Sequence, residues 1–299
     1  MRLLSYSHPD LGDGAPTFGI ATHDGGVIDL GRRLDGVGDL SDLLVQRRVD
    51  EARAHRDADA DVSLDSITYL RTVPRPSKIF CIGVNYGGRN AEYTDVDPQD
   101  PGKPSVFVRF PESLTGHDQD LVRPPESHQL DYEGEIVAVI GTGGRRIPRA
   151  EARNHIAGLT LGNEGTIRDW VRHAKFNVTQ GKNWESSGAL GPWVVTLDEI
   201  GRFDDLRITT TVNGELRQDD SPASMAYPIE YQVEYLSTFC RLEPGDLIFT
   251  GTPTGAGARF DPPRFLAPGD VVEVSVEGVG TLRNGVRQET LEPSAVDDS

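Results

Sequence analysis

Apolar residues in this chain alternate, or run in short blocks, more often than they recur at helical spacing. Val272, Val274 and Val276 alternate with Glu273 and Ser275, the pattern of a half-buried strand. Ile79-Phe-Cys-Ile-Gly-Val84, Ser105-Val-Phe-Val-Arg-Phe110, Trp193-Val-Val-Thr196 and Leu247-Ile-Phe-Thr250 are compact β-type blocks. The strands at Leu247 and Val271 each follow a Pro-Gly-Asp turn, at Pro244 to Asp246 and Pro268 to Asp270. Asn213-Gly214 inside Leu206 to Leu216 predicts a hairpin, as does Asp24-Gly-Gly26 between Thr17 to Thr22 and Val27 to Leu30. Leu130-Asp-Tyr-Glu-Gly-Glu-Ile-Val-Ala-Val-Ile140 predicts one long, mostly buried strand.

Helical spacing is clearest from Pro228 to Cys240, where Ile229, Val233, Leu236 and Phe239 share a face and proline stands near the start. Shorter helices are predicted within residues 39–56, 149–157 and 166–174. Strands dominate without regular βα alternation, so the fold class is α+β and β-rich. Residues 1–72 read as a small N-terminal α+β domain. The prolines of Thr72-Val-Pro-Arg-Pro-Ser77 mark a linker, because they oppose helix and central strand alike. Residues 73–286 form the main domain, and 287–299 a flexible polar tail.

Composition narrows the function. With 299 residues and 36% hydrophobic content the chain has ample material for a core. A net charge of −17 argues against general nucleic-acid or membrane binding. No apolar run approaches a membrane span, and no leader pattern opens the chain, so the expected location is cytoplasmic. Cys81 and Cys240 sit among apolar neighbours and read as buried thiols, not a disulfide framework.

The chemistry begins with Glu133 and Glu135. Two residues apart on a strand, they project from one face, while Tyr132, Ile136 and Ile140 take the other. Like charges so placed must face water, pair with cations or bind a metal. A third acid, Glu164, stands in Gly162-Asn-Glu-Gly165, and a lysine, Lys182, in Gln180-Gly-Lys-Asn183. Oxygen ligands of this kind suit Mg²⁺, Mn²⁺ or Ca²⁺ better than zinc. By spacing alone, a solvated edge strand and a surface lysine account for the same residues and carry the greater weight. Histidines are scattered without H-E-x-x-H, and no G-x-S-x-G elbow is present.

Taken in order, the motifs resemble the fumarylacetoacetate hydrolase family. The matching set runs from Lys78-Ile-Phe-Cys-Ile-Gly-Val-Asn-Tyr86 and Pro104-Ser-Val-Phe-Val-Arg109 through Asp131-Tyr-Glu-Gly-Glu135 and Asn163-Glu-Gly-Thr-Ile-Arg-Asp169. It continues through Gly181-Lys182, Leu190-Gly-Pro-Trp193, Val212-Asn-Gly214 and Leu242-Glu-Pro-Gly-Asp246 to Thr250-Gly-Thr-Pro253. The resemblance implies a mixed β-sandwich roll, a homodimer, and Mg²⁺ or Mn²⁺ held by Glu133, Glu135 and Glu164. It places Lys182 in catalysis, with Tyr86, Arg109 and Thr252 around a small oxo-acid substrate.

Three departures bear on the reaction. Hydrolytic members carry Asn-Tyr-x-x-His-x-x-Glu, whose His/Glu dyad activates water. Asn85-Tyr-Gly-Gly-Arg89-Asn-Ala-Glu92 keeps Glu92 and puts Arg89, which cannot serve as a general base, in place of the histidine. The third metal ligand, commonly aspartate, is Glu164, and a glutamine common seven residues later is Val171. The first expectation is C–C hydrolysis of an acylpyruvate, β-diketo acid or related 2-oxo acid through a metal-stabilised enolate. The alternative, prompted by Arg89, is a non-hydrolytic isomerase, tautomerase or decarboxylase. Tyr93 to Gly102 reads by composition as a lid.

Overall fold

The computed structural model of the protein describes residues 1–87, 102–174 and 177–291. The principal strands in the first half are β1 (Arg2–Ser7), β2 (Thr17–Ala21), β3 (Gly26–Asp29), β4 (Ile79–Gly83), β5 (Ser105–Val108), β6 (Leu121–Arg123) and β7 (Gly134–Ile140). In the second half they are β8 (Ile156–Asn163), β9 (Gly188–Thr196), β10 (Ile208–Val212), β11 (Glu215–Asp220), β12 (Leu247–Phe249), β13 (Val271–Val276) and β14 (Gly280–Gln288). The helices are α1 (Leu40–Val45), α2 (Val49–Arg53), α3 (Thr179–Lys182) and α4 (Ile229–Phe239). The fold is β-rich α+β, as the strand patterning implied.

A 12-stranded mixed sheet runs in the order Val62–Ser63, β3, β2, β1, β9, β8, β7, β12, β4, β5, with two short strands attached to β1 and β9. A 5-stranded sheet, β11-β10-β13-β14-β6, packs beside it. β7 is central and buried along its whole length. Its even-numbered side chains, Ile136, Ala138 and Ile140, enter one hydrophobic cluster, while Val137 and Val139 enter another on the opposite face. Each large aliphatic side chain so buried contributes about 1.5–3 kcal/mol. The first seventy-two residues share this framework. Arg2 and Leu3 pair with Val195 and Val194, and Phe18, Ile28, Leu40 and Leu43 join the cluster that holds Val137, Val139 and Phe249.

Several elements differ from the sequence expectation for identifiable reasons. Leu130 to Ile140 is two strands, not one. Leu130 and Asp131 pair with Ile167 and Thr166, and only from Gly134 does the chain enter the main sheet. The change of direction brings Gly134 against the second sheet, where an added Cβ would stand 2.0 Å from Thr210 Oγ1. Residues 39–56 form two short helices because Arg47 adopts φ 57°, a left-handed conformation that ends the first. Asp39 caps α1 by accepting from Asp42 N at 2.9 Å. Residues 149–157 give a 3₁₀ helix over Arg149–His155, and the chain then enters β8. Gly158 permits that pairing, since a Cβ there would lie 2.2 Å from Val195 O. Residues 166–174 divide into a short strand, Thr166–Ile167, and a 3₁₀ segment, Arg168–Arg172. The helix expected after Pro228 forms over Ile229–Phe239, and both cysteines are free.

Candidate active site

The ends of four elements converge on one cavity of about 420 Å³. Glu133 and Glu135 come from the start of β7, Glu164 follows β8, Lys182 ends α3, and Thr252 follows β12. Pairing of Gly134 with Asn163 in the β7–β8 ladder sets Glu133 beside Glu164, and Glu164 N donates to Glu133 O at 2.7 Å. Asn163 Oδ1 accepts from Glu133 N at 3.0 Å, which fixes the bend before β7. Ile82, Val106, Phe107, Val171 and Val178 supply an apolar wall to the cavity.

The acids are buried and heavily bonded. Glu133, Glu135 and Glu164 are 3%, 1% and 3% exposed, and Lys182 is 5% exposed. Lys182 Nζ donates to Glu133 Oε2 and, at 3.0 Å, to Glu164 Oε2. Arg168 donates from Nη2 to Glu133 Oε1 and from Nε to Asp131 Oδ2, both at 2.7 Å. Thr166 Oγ1 donates to Glu133 Oε2 at 3.0 Å, and Gly251 N donates to Glu135 Oε2 at 2.8 Å. Glu164 Oε1 is buried without a hydrogen-bond partner among the described residues.

Electrostatics separate these groups. Burial, reinforced by the charges of Glu164 and Glu133, pushes the Glu135 carboxyl well above the usual range. Burial alone would lower Lys182, but Glu133 and Glu164 outweigh it, so its ammonium is raised and stays protonated. Arg168 is likewise raised by Glu133 and Asp131 against its desolvation. The Cys81 thiol, fully buried against Glu164, is pushed well up by desolvation and that neighbour, and so remains neutral.

The family model described as fumarylacetoacetate (FAA) hydrolase C-terminal matches residues 78–287, the span that carries every one of these groups. The chain belongs to this family. It is 40% identical to the oxaloacetate tautomerase YisK of Bacillus subtilis over 228 residues, 75% of this chain and 74% of that protein. With the mitochondrial oxaloacetate tautomerase FAHD2A of Homo sapiens it shares 33% identity over 96% of this chain and 91% of that one. The crystal structure of a probable 2-hydroxyhepta-2,4-diene-1,7-dioate isomerase from Mycobacterium abscessus superposes with a TM-score of 0.78 at 31% identity, covering 97% of this chain and all of that chain. These fumarylacetoacetate hydrolase relatives carry the names of tautomerases and isomerases, so they favour the second of the two sequence readings over C–C hydrolysis.

The other residues singled out from the sequence fall in different places. Thr252 lines the cavity, its hydroxyl donating to Gly134 O at 3.0 Å and accepting from Gln218 Nε2 at 2.8 Å. Tyr86 is buried, and its hydroxyl has no partner among the described residues. Arg109 lies behind the acids instead of facing the cavity. Its guanidinium donates to Gly165 O, to Ser113 Oγ and O, and to Ser187 Oγ at 2.8–3.3 Å. Arg89 and Glu92, and the lid expected over Tyr93 to Gly102 up to its last residue, lie outside the described residues.

Sequence reasoning passed over Asp131, Thr166, Arg168 and Gln218. Asp131 accepts from Gly257 N at 2.7 Å, Ala258 N at 3.0 Å and Arg168 Nε, and so ties the loop after β12 to the acids. Arg168 stood inside a quoted motif, and its spacing from Glu164 was the available signal. Gln218 comes from the second sheet and had none.

The donor set fits a hard cation in type. Its candidate ligating atoms are carboxylate oxygens, one of them orphaned, while in charge the three lining acids, Glu133, Glu135 and Glu164, are matched by Arg168, Arg172 and Lys182. The set is not a finished cage. Among the described residues no three acidic, His or Cys side chains are gathered tightly enough to hold an ion, and Lys182 Nζ stands between Glu133 and Glu164.

Proposed function

We propose that the protein is a divalent-metal-dependent tautomerase that interconverts the enol and keto forms of a small 2-oxo acid. The observation that carries this reading is the buried cluster of Glu133, Glu135, Glu164 and Lys182 lining one cavity. The tautomerase names of relatives matching 96% of the chain support the choice of reaction. Held by Glu133, Glu135 and Glu164, Mg²⁺ or Mn²⁺ would polarise a 2-oxo oxygen and offset the charge of an enolate.

The chain's own groups account for binding and charge. In the metal-free site Glu133 and Glu164 favour the Lys182 ammonium, which suits Lys182 to act as a hydrogen-bond donor and positive charge toward a substrate carboxylate or enolate oxygen. Arg168 and Thr166 hold Glu133 in one rotamer, and Gly251 N does the same for Glu135. Preorganisation of this kind avoids reorganisation cost as charge develops. The wall of Val106, Phe107 and Val171 excludes water from one side of the cavity.

Solvent exchange distinguishes the two reactions. Incubated in D₂O with Mg²⁺ and oxaloacetate or an acylpyruvate, the protein is expected to speed deuterium incorporation at C3 without yielding carboxylic acid fragments. Fragments that accumulate at the rate of exchange would replace this reading with C–C hydrolysis.

A further inference from the structure

A second concave region lies away from the carboxylate cavity, beside the first turn of α4. This groove, about 820 Å³, is lined by Arg149, Arg153, Arg202, Phe203, Pro228 and Glu230, among others. Three guanidiniums in one groove stand out on a chain of net charge −17. Two of them are held in place without a carboxylate partner. Arg153 stacks its guanidinium 4.5 Å from the Phe203 ring centroid, and its Nη2 donates to Ile200 O at 2.7 Å and Gly201 O at 2.9 Å. Arg149 rests 5.9 Å from the Tyr231 ring centroid. Among the described residues neither forms an ion pair with an acid. Arg202 is paired with Asp204 at 3.2 Å on the exposed rim, and Glu230 is the other acid of the lining.

A surface arginine in water normally loses side-chain entropy when it grips a ligand. Here the ring and the two carbonyls have already oriented Arg153, while its remaining N–H donors meet no protein acceptor among the described residues. Guanidiniums so presented match oxyanions in charge and in planar, two-point geometry. The volume is that of an ordinary small-molecule site.

The groove is also joined to the active site through backbone anchors. Pro228 and Glu230 open α4, and Tyr227 O, just before it, accepts from Asn85 Nδ2 at 3.1 Å and Gln232 Nε2 at 2.8 Å. The same two amides reach Thr250 O at 2.6 and 3.3 Å, and the next residue, Gly251, holds Glu135. A ligand in the groove would therefore touch the helix that anchors the Glu135 loop.

We propose that this groove is a second, non-catalytic site for a small oxyanion bearing more than one negative charge, whether polycarboxylate or phosphate. Calorimetric titration of the Mg²⁺-loaded protein with tricarballylate and, separately, with inorganic phosphate tests it, and the anion that binds names the class. Saturable binding is expected, weakened about tenfold or more by R149A/R202A and unchanged by E133Q. Both arginines are exposed, so the double variant is expected to retain the fold. Absence of saturable binding overturns the proposal, as does affinity that the arginine substitutions leave unchanged. Loss of binding in E133Q would assign the anion to the carboxylate cavity. A shift in sedimentation between wild type and R149A/R202A would make the groove a contact between copies of the chain and would equally overturn it.

Discussion

Lys182 places a single positive charge between two buried carboxylates, so removing it has two separable consequences. K182M takes away the donor aimed at the substrate, and turnover is expected to fall about 10²- to 10³-fold. It also leaves Glu133 and Glu164 facing each other, a loss on the order of 3–5 kcal/mol for a broken buried pair. Added Mg²⁺ should restore that second deficit, raising the Tm of K182M more than that of wild type while activity stays low. Equal Tm gains in the two proteins would mean that the ion does not bind among these acids. Glu135 yields a pH test. Its folded value lies above the ordinary 4.5, so the carboxyl contributes stability that is present below that pH and lost as pH rises through the folded value. In metal-free protein, E135Q should therefore become progressively more stable relative to wild type as pH rises above about 5. A Tm difference that does not vary with pH would contradict the burial argument. At this scale the sequence was informative where chemistry recurs at short spacing, as in Glu133 and Glu135. It was silent on Gln218, whose role depends on a contact between sheets.

The loop after β12 and the start of β7 are fastened by side chains from other elements. Gln218, on β11, accepts from Gly134 N at 2.9 Å and donates to Thr252 Oγ1 and Pro253 O. Replacing it with leucine leaves a buried N–H unpaired, at a cost of about 1–3 kcal/mol, and frees Thr252. Thermal melting is expected to show the loss, with KM raised more than kcat is lowered. Asp131 fastens the same loop from the other side, and D131N should weaken Mn²⁺ binding about 10- to 100-fold by releasing Arg168 from its hold on Glu133. Alternation made β13 legible in advance, the Asn213-Gly214 turn marked the hairpin that β10 opens, and helical spacing after Pro228 gave α4. The 3₁₀ segment at Arg149–His155 was read as helix because one apolar turn looks the same in both, and its continuation into β8 depends on Gly158 meeting Val195.

Across the whole molecule, residues 1–72 and the matched span 78–287 are joined by sheet and by core. Excised residues 73–286 would expose the edge of β9 and the faces of Val137, Val139 and Phe249, an aggregation-prone surface. That fragment is expected to lack a cooperative melt that the full chain shows, and a sharp transition with native-like circular dichroism would mean the N-terminal part is dispensable. Prolines at Pro74 and Pro76 gave a clear linker signal, yet pairing of Arg2 and Leu3 with residues almost two hundred positions away could not be read from any local pattern. No helix of the described residues is long and apolar enough to cross a membrane. The central claim is that the cluster of Glu133, Glu135, Glu164 and Lys182, with a divalent ion, supports the tautomerisation of a 2-oxo acid. It is tested most directly by following the loss of enol absorbance of freshly dissolved oxaloacetate. Ketonisation faster than the buffer rate is expected with Mg²⁺, absent with EDTA and absent in E133Q; an enol decay that the protein leaves at the buffer rate, with Mg²⁺ present, would contradict it.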